Sequence, residues 1–390
     1  MTVRCDVVVV GLGAMGSAAT LQLARAGARV IGIDGSSPPN PDGSSHGETR
    51  ITRLAVGEGS AYVPLVQRSH ELWRAFEEDQ PDILFVQSGG LILGGLQSSG
   101  QHGVSNFVAA TIDVARSNGI AHELLSADEI AARFGVLDVT DEIGYFEPTA
   151  GYLRAASCIR AQLELATRAG AVVRLNEQVE GWTSTRSGVH VETNSGQISA
   201  GAMVLAAGAW LPDLAPELAP MLSVQRQVQY WFDIGRDAPR FEALPVFIWM
   251  HGSEEGQYLY GFPATDGPGG GVKIATEVFG TSTSPKDVVR SVADDEIDDM
   301  FDTHVSTRIP GLSARCLRTA VCLYTVTPDF GFIVDRHPEH DNVVVASPCS
   351  GHGFKHSAAI GECVAELVLS GAASIDLTPF GFDRLVASGT

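Results

Sequence analysis

A β-branched strand that runs into G-x-G-x-x-G, a second strand, glycine turn and helix near the C-terminus, and an aromatic-rich run of strands between them predict a mixed α/β and α+β fold. The expected architecture is a Rossmann-like dinucleotide-binding domain built from residues 1–90, 150–220 and 321–390. It is intertwined with an antiparallel-sheet substrate domain built from residues 91–149 and 221–320. A chain of 390 residues can hold two such domains and bury a large core without covalent staples.

The opening VVVVGLGAMG is the most specific local signal. Val7 to Val10 form an uncharged β-branched run, as a parallel strand buried on both faces requires. Gly11 then permits a tight turn, Gly13 lets the backbone approach a pyrophosphate, and Gly16 lets the following helix pack close to the strand. That helix, from Ala14 and Met15 to about Ala26, aims its unpaired N–H groups at the phosphates, and Gly27 closes it. A second apolar strand over 28–33 ends at Asp34 and Gly35, where a carboxylate can accept from a ribose diol.

The next stretch, 35–59, is rich in Ser, Pro and Gly and reads as an extended loop. It contains GSSHGETRITR, which gathers Ser44, Ser45, His46, Thr49, Arg50 and Arg53; long polar loops of this kind are often functional. An amphipathic helix is expected over 62–78 from Val66, Leu72 and Phe76. Residues 150–180 read as helical, followed by a strand pair over 178–193. The segment 201–210 reads as a buried strand ending at Gly208 and Trp210. From 221 to 320 aromatic residues cluster, among them Tyr230, Trp231, Trp249, Tyr258 and Tyr260. The last unit is a strand over 342–346, a turn at Ser350-Gly-His-Gly353 and a helix over 354–370, again a dipole-aimed site.

The formal charge of -20 argues against nucleic acid or an anionic membrane as a partner, because either needs a basic surface. Six cysteines with no C-x-x-C pair and no zinc-like spacing fit a reducing compartment and no metal site. Asp6 and the glycine fingerprint occupy the place where a signal peptide would lie, and no run is long and apolar enough to span a membrane. A cytoplasmic enzyme is the expectation.

With these motifs in place, the chain resembles the monomeric sarcosine oxidase and N-methyltryptophan oxidase family, within the D-amino-acid-oxidase-like group of FAD enzymes. The likeness rests on residues 5–34, GSSHGETRITRLAVGEGSAYVPL, CLYTVTPDFGFIVDRHPEHDNVVV and SGHGFKHS. It implies FAD bound covalently through Cys322, the cysteine that heads the CLYT motif, with Tyr324 facing the active site. It also implies cofactor contacts from Gly351, Gly353, Phe354 and Lys355, besides those of the opening unit, the 44–50 loop and Gly208–Trp210.

Lys273, in GGGVKIATEVFG, matches the family's oxygen-activating lysine, where a fixed cation stabilises the anion formed as oxygen accepts an electron. Arg53 and Lys355 match two cations that clamp the substrate carboxylate, one as a planar fork and one as a point charge. The resemblance sets His46 and Arg50 near the flavin ring and Tyr260 in the substrate pocket. One position departs from the pattern: four residues past the lysine, where the sarcosine- and N-methyltryptophan-oxidising members carry histidine, this chain has Glu277. That exchange bears on which substrate is recognised.

The implied reaction is oxidation of the C–N bond of an N-methyl or cyclic secondary α-amino acid to an imine, with oxygen reduced to hydrogen peroxide. The expected partners are a small amino acid and oxygen, with a monomer as the working form. The alternatives are an FAD dehydrogenase or primary-amine oxidase on the same fold, and a non-catalytic flavin-binding module. The cations at 46–53, 273 and 355 argue against the last.

Overall fold

A computed structural model of the protein describes residues 2–95 and 98–387. Its organising element is the strand β1 (Thr2–Val10), which turns into helix α1 (Ala14–Arg25) and returns as β2 (Val30–Asp34). Val7 to Val10 are all buried, as a strand covered on both faces must be. Burying each valine stabilises the fold by about 1.5 kcal/mol or more. β1 pairs in parallel with β2 and with Gly196–Leu205, and the latter pairs in parallel with His340–Ser347. Val172–Leu175 extends the sheet beside β2, while Val179–Thr185, Gly188–Thr193 and Ile333–His337 add antiparallel pairings, giving eight strands.

Helices α1, Ala155–Arg168 and Ser357–Ser370 pack together against this sheet. The crossing of α1 with Ser357–Ser370 is close enough that a Cβ at Gly361 would lie 2.4 Å from Ala18 Cβ. Gly27, at φ 87°, ends α1 in the left-handed region that glycine adopts without strain. Most sequence-predicted helices and strands of this half lie where expected, with shifts of a few residues at their ends, but the helical stretch expected over 150–180 is confined to Ala155–Arg168, between the strands Gly151–Arg154 and Val172–Leu175.

A second eight-stranded sheet has the order Leu312–Val326, Ser223–Ile234, Val272–Ala275, Tyr258–Gly261, Val246–Met250, Gly90–Gly94, Ile143–Glu147 and Glu123–Leu125. All neighbours are antiparallel except Val246–Met250 beside Gly90–Gly94. Its aromatic residues, including Tyr230, Phe232, Phe247 and Trp249, form a separate core. Two details differ from the sequence reading. The strand Leu312–Val326 belongs to this sheet throughout, so residues 321–326 lie with the antiparallel layer. The stretch 35–59 is not all loop, because Thr49–Thr52 pairs with Gly151–Arg154 in a small third sheet. Two hydroxyls and the Arg50 guanidinium, with Arg53 directly after, disguise a strand there, since Thr49, Arg50 and Ile51 line a cavity.

Candidate active site

A single elongated cavity of about 910 Å³ runs from the glycine turn after β1, along the ends of the first sheet, to the face of the second sheet. At its first end Gly11, with φ 87°, admits no side chain: a Cβ would lie 2.5 Å from the Ala206 carbonyl oxygen. At Gly16 a Cβ would meet the Gly11 carbonyl oxygen at 1.7 Å, so this glycine serves the packing of α1 and does not line the cavity. Gly13 is different, because its nearest obstacle would be Ser45 Oγ at 3.4 Å. Protein packing alone makes a weaker demand for glycine there than at Gly11 or Gly16; a group lying in the cavity against the backbone supplies the further reason.

Gly13 caps α1 without a side chain; Ala14 N donates weakly to Ser45 Oγ at 3.3 Å, and Gly13, Ala14 and Met15 line the cavity, the arrangement of a helix start that can serve a pyrophosphate. Asp34, at the end of β2, accepts from Leu12 N at 2.8 Å and from Ser36 N and Oγ at 2.9 and 2.8 Å. Those bonds fix its carboxylate at the cavity wall beside Gly35. Ala14, Met15, Ser44, Ser45, Gly208, Trp210, Gly353 and Phe354 complete this part of the wall. The residues present fit a dinucleotide.

The 43–53 loop is wound around one guanidinium. Arg50 donates to the carbonyls of Thr49 at 2.8 Å, Ser44 at 2.7 Å and His46. Ser44 Oγ in turn bonds the Leu323 carbonyl and ties the loop to the strand that carries Cys322 and Tyr324. His46 contributes this carbonyl, but its side chain is absent from the cavity wall, and burial, then Arg50, pulls its pKa down to about 4. It is neutral there.

Lys273 lies on a central strand of the second sheet and is buried. Its ammonium donates to the carbonyls of Gly47 at 2.6 Å and Thr49 at 2.8 Å and sits 4.6 Å from the centre of the Phe262 ring. Burial, followed by the charge of Arg50, holds its pKa well below the ordinary lysine value. Thr49, Arg50, Lys273, Tyr260 and Tyr324 all line the cavity here.

Cys322 is fully buried behind this wall, not on it, with Sγ 3.6 Å from Gln229 Nε2. Burial raises its thiol pKa against the opposing pull of Arg50 and Lys273. Gln229 itself reaches the cavity, so the thiol is one side chain removed from it.

At the far end are the two expected clamp cations. Lys355, on the turn before the last long helix, donates to the His352 carbonyl at 2.7 Å, which leaves two ammonium hydrogens uncommitted by that bond. Arg53 donates to the Ala55 carbonyl at 2.6 Å and reaches Glu58 Oε2 at 3.3 Å, while its Nε is buried without a partner. Glu277 lines the same chamber, and Gly351, at φ 85°, is confined because a Cβ would lie 2.8 Å from both Glu277 Oε1 and His102 Nε2.

Sequence reasoning missed a group of residues here: Glu58, Gln101, His102, His352 and Tyr258. His102 Nδ1 donates to Glu58 Oε1 at 2.9 Å, and its Nε2 lies 2.9 Å from Glu277 Oε2. Tyr258 Oη and Gln101 Nε2 donate to the same Glu277 oxygen at 2.6 and 3.0 Å. Burial opposes a charge on His102, but the two carboxylates outweigh it and push its pKa up to about 9; reciprocally, Glu277 is held down at about 2. His352 is kept neutral by burial, at about 3. Glu58, His102 and His352 bring ligand-type atoms within 4.8 Å of one another, a spacing a metal ion can use, but Arg53 and Lys355 repel a second cation. Glu58 and His352 stand inside motifs already singled out, and Tyr258 shares a strand face with Tyr260. His102 has no motif around it.

Comparison with known proteins accords with this geometry. The profile of the FAD dependent oxidoreductase family matches residues 6–367. The chain is 40% identical to monomeric sarcosine oxidase of Streptomyces avermitilis over the full length of both proteins. It is 34% identical to N-methyl-L-tryptophan oxidase of Citrobacter koseri, covering 98% of this chain and 99% of that one. Among solved structures, that of NikD, an amino acid oxidase essential for nikkomycin biosynthesis, superposes with a TM-score of 0.84 at 23% identity, over 97% of this chain and 98% of NikD. Among the described residues no helix is long and apolar enough to cross a membrane. A full-length family match, a cavity shaped for a dinucleotide and full-length relatives converge: this chain belongs to the FAD-dependent oxidoreductases.

Proposed function

We propose that the protein is an amine oxidase that converts an N-methyl or cyclic secondary α-amino acid to its imine and passes the electrons to oxygen, yielding hydrogen peroxide. The observation that carries this reading is the far chamber, where buried Lys355 and Arg53 keep donors in reserve next to Tyr260 and Glu277. A substrate carboxylate satisfies both cations, and that contact orients the carbon beside the nitrogen toward the cofactor end of the chamber. FAD supplies the two-electron redox chemistry. Segments 1–90, 150–220 and 327–390 hold most of it, and 91–149 with 221–326 wall the substrate chamber, to which Arg53, Glu58 and Lys355 also contribute. Arg50 and Lys273 set positive potential at the junction, and Lys273 stabilises the anion that forms as oxygen takes up an electron.

The flavin is attached through Cys322. This attachment is supported by the thiol's place between Arg50 and Lys273, whose charges favour thiolate against burial, and it requires Gln229 to yield the 3.6 Å contact. The protein works as a cytoplasmic monomer.

The test is an air-free flavin-reduction screen over N-methyl amino acids, cyclic imino acids and primary amino acids, followed by admission of oxygen. Bleaching by a secondary amino acid and stoichiometric peroxide support the proposal. Bleaching by primary amines alone, or reoxidation only by another acceptor, assigns one of the alternative activities.

A further inference from the structure

The two far-chamber cations are not equally available, and the reason lies in Glu58. Its Oε2 is 3.3 Å from Arg53 Nη2, longer than the roughly 2.7–2.9 Å of a well-formed charge-assisted bond. Its Oε1 is taken by His102 Nδ1 at 2.9 Å, with His352 Nδ1 a further 3.8 Å away. An arginine fork facing a carboxylate normally takes both oxygens, and here one is withheld. His102 is itself anchored on its other side by Glu277, which Tyr258 and Gln101 hold in place. Its backbone sits at φ 51°, the left-handed region that non-glycine residues seldom occupy, so the surrounding contacts fix this histidine against its local preference.

We infer that His102 is a positioning residue that sets the affinity for the substrate carboxylate by holding Glu58 away from Arg53. Glu58 is the built-in competitor for Arg53. With His102 in place it engages the guanidinium through one stretched contact, and an incoming carboxylate finds the fork open. With His102 removed, Glu58 turns both oxygens to Arg53 and competes directly with substrate. Glu277 thereby acts on recognition through His102 rather than as an unpaired anion in the chamber. This inference rests on the proposed Arg53 and Lys355 clamp.

The test uses the flavin-loaded enzyme and acetate as the probe, with binding read from the change in flavin absorbance. His102→Gln, and His102→Asn as a smaller neutral variant, are expected to weaken acetate at least tenfold, while the limiting rate of flavin reduction by a secondary amino acid changes less than threefold. In a Glu58→Gln background the same His102 change is expected to alter acetate binding less than threefold. A loss of equal size in both backgrounds would show that His102 acts only as a charge and would overturn the inference; so would unaltered binding in the single variants. Should the His102 variants fail to fold, the wild type and Glu58→Gln are compared from pH 7 to 10. Besides His102, the groups facing one another there are Glu58, Glu277, His352, Arg53, Lys355 and Tyr258. Beyond the fall that Lys355 sets from about pH 7, a second fall near pH 9 that Glu58→Gln abolishes supports the inference, and one that persists unchanged overturns it. Wild-type protein that binds no acetate at all contradicts the clamp itself.

Discussion

Glu277 Oε2 lies 2.9 Å from His102 Nε2, so this carboxylate is one half of a buried ion pair. The pair extends through Glu58 to Arg53, giving an alternation of charge, minus and plus, across the substrate chamber. Removing one partner of such a pair leaves the other buried and uncompensated. Glu277→Leu is therefore expected to destabilise the protein by about 3–5 kcal/mol in chemical denaturation, with much of the loss recovered in the Glu277→Leu/His102→Leu double variant. Additive losses would show that the two side chains do not act as a pair.

Lys273→Met should slow reoxidation of the reduced enzyme on the order of a hundredfold or more, with a much smaller effect on reduction by substrate. The lysine donates to the carbonyls of Gly47 and Thr49 and lines the same cavity as Tyr260 and Tyr324, where the proposed oxidase brings oxygen to the cofactor. Stopped-flow traces separate the two half-reactions. Equal slowing of both would place Lys273 in substrate binding or in the architecture of the loop.

Burial, with a further push from Arg53, lowers the Lys355 pKa to about 7, although Glu58 and Glu277 oppose the shift. A folded-state pKa below the unfolded value means that the folded chain binds fewer protons between about pH 7 and the ordinary lysine value, so this group's contribution to stability grows as pH rises through that window. Carboxylate binding runs the other way, because it needs the ammonium. Affinity should be level below about pH 7 and fall above it, with a proton taken up on binding. Lys355→Met should flatten that part of the profile, as a titration at several pH values would show.

The fold was legible because its signals are local. Val7 to Val10, three glycines and Asp34 fall in an order that only one supersecondary unit explains, and the structure places Val10, Gly11, Gly13 and Asp34 at one cavity, with Gly16 serving the packing of α1. The turn that holds Gly351 was legible for the same reason, as a glycine turn before a helix, while Lys355 was singled out only through the family resemblance. The charge partners were not. His102 lies in a loop before a helix, and nothing in its neighbours announces that it meets Glu58 and Glu277, residues 44 and 175 positions away, through tertiary packing. Cys322 shows the converse limit. Its motif drew attention to the thiol, but a motif says nothing of Gln229, which contacts the sulfur and lines the cavity while Cys322 does not.

Attachment of the flavin at Cys322 gives a separate prediction. Acid-precipitated wild-type protein should stay yellow, and Cys322→Ser should release all its colour to the supernatant while the remaining cavity contacts still bind FAD before precipitation. Colour retained in the variant would place the bond at another residue.

The most direct test of the central claim is an air-free comparison of an N-methyl amino acid with the corresponding decarboxylated N-methyl amine, mixed rapidly with wild-type enzyme and with Lys355→Met. The carboxylate clamp predicts fast bleaching of the wild-type flavin by the acid and slow bleaching by the amine. It also predicts that Lys355→Met weakens binding of the acid by roughly 2–5 kcal/mol while leaving the amine nearly unchanged. Equal handling of acid and amine by the wild type, or equal losses for both in the variant, would contradict it.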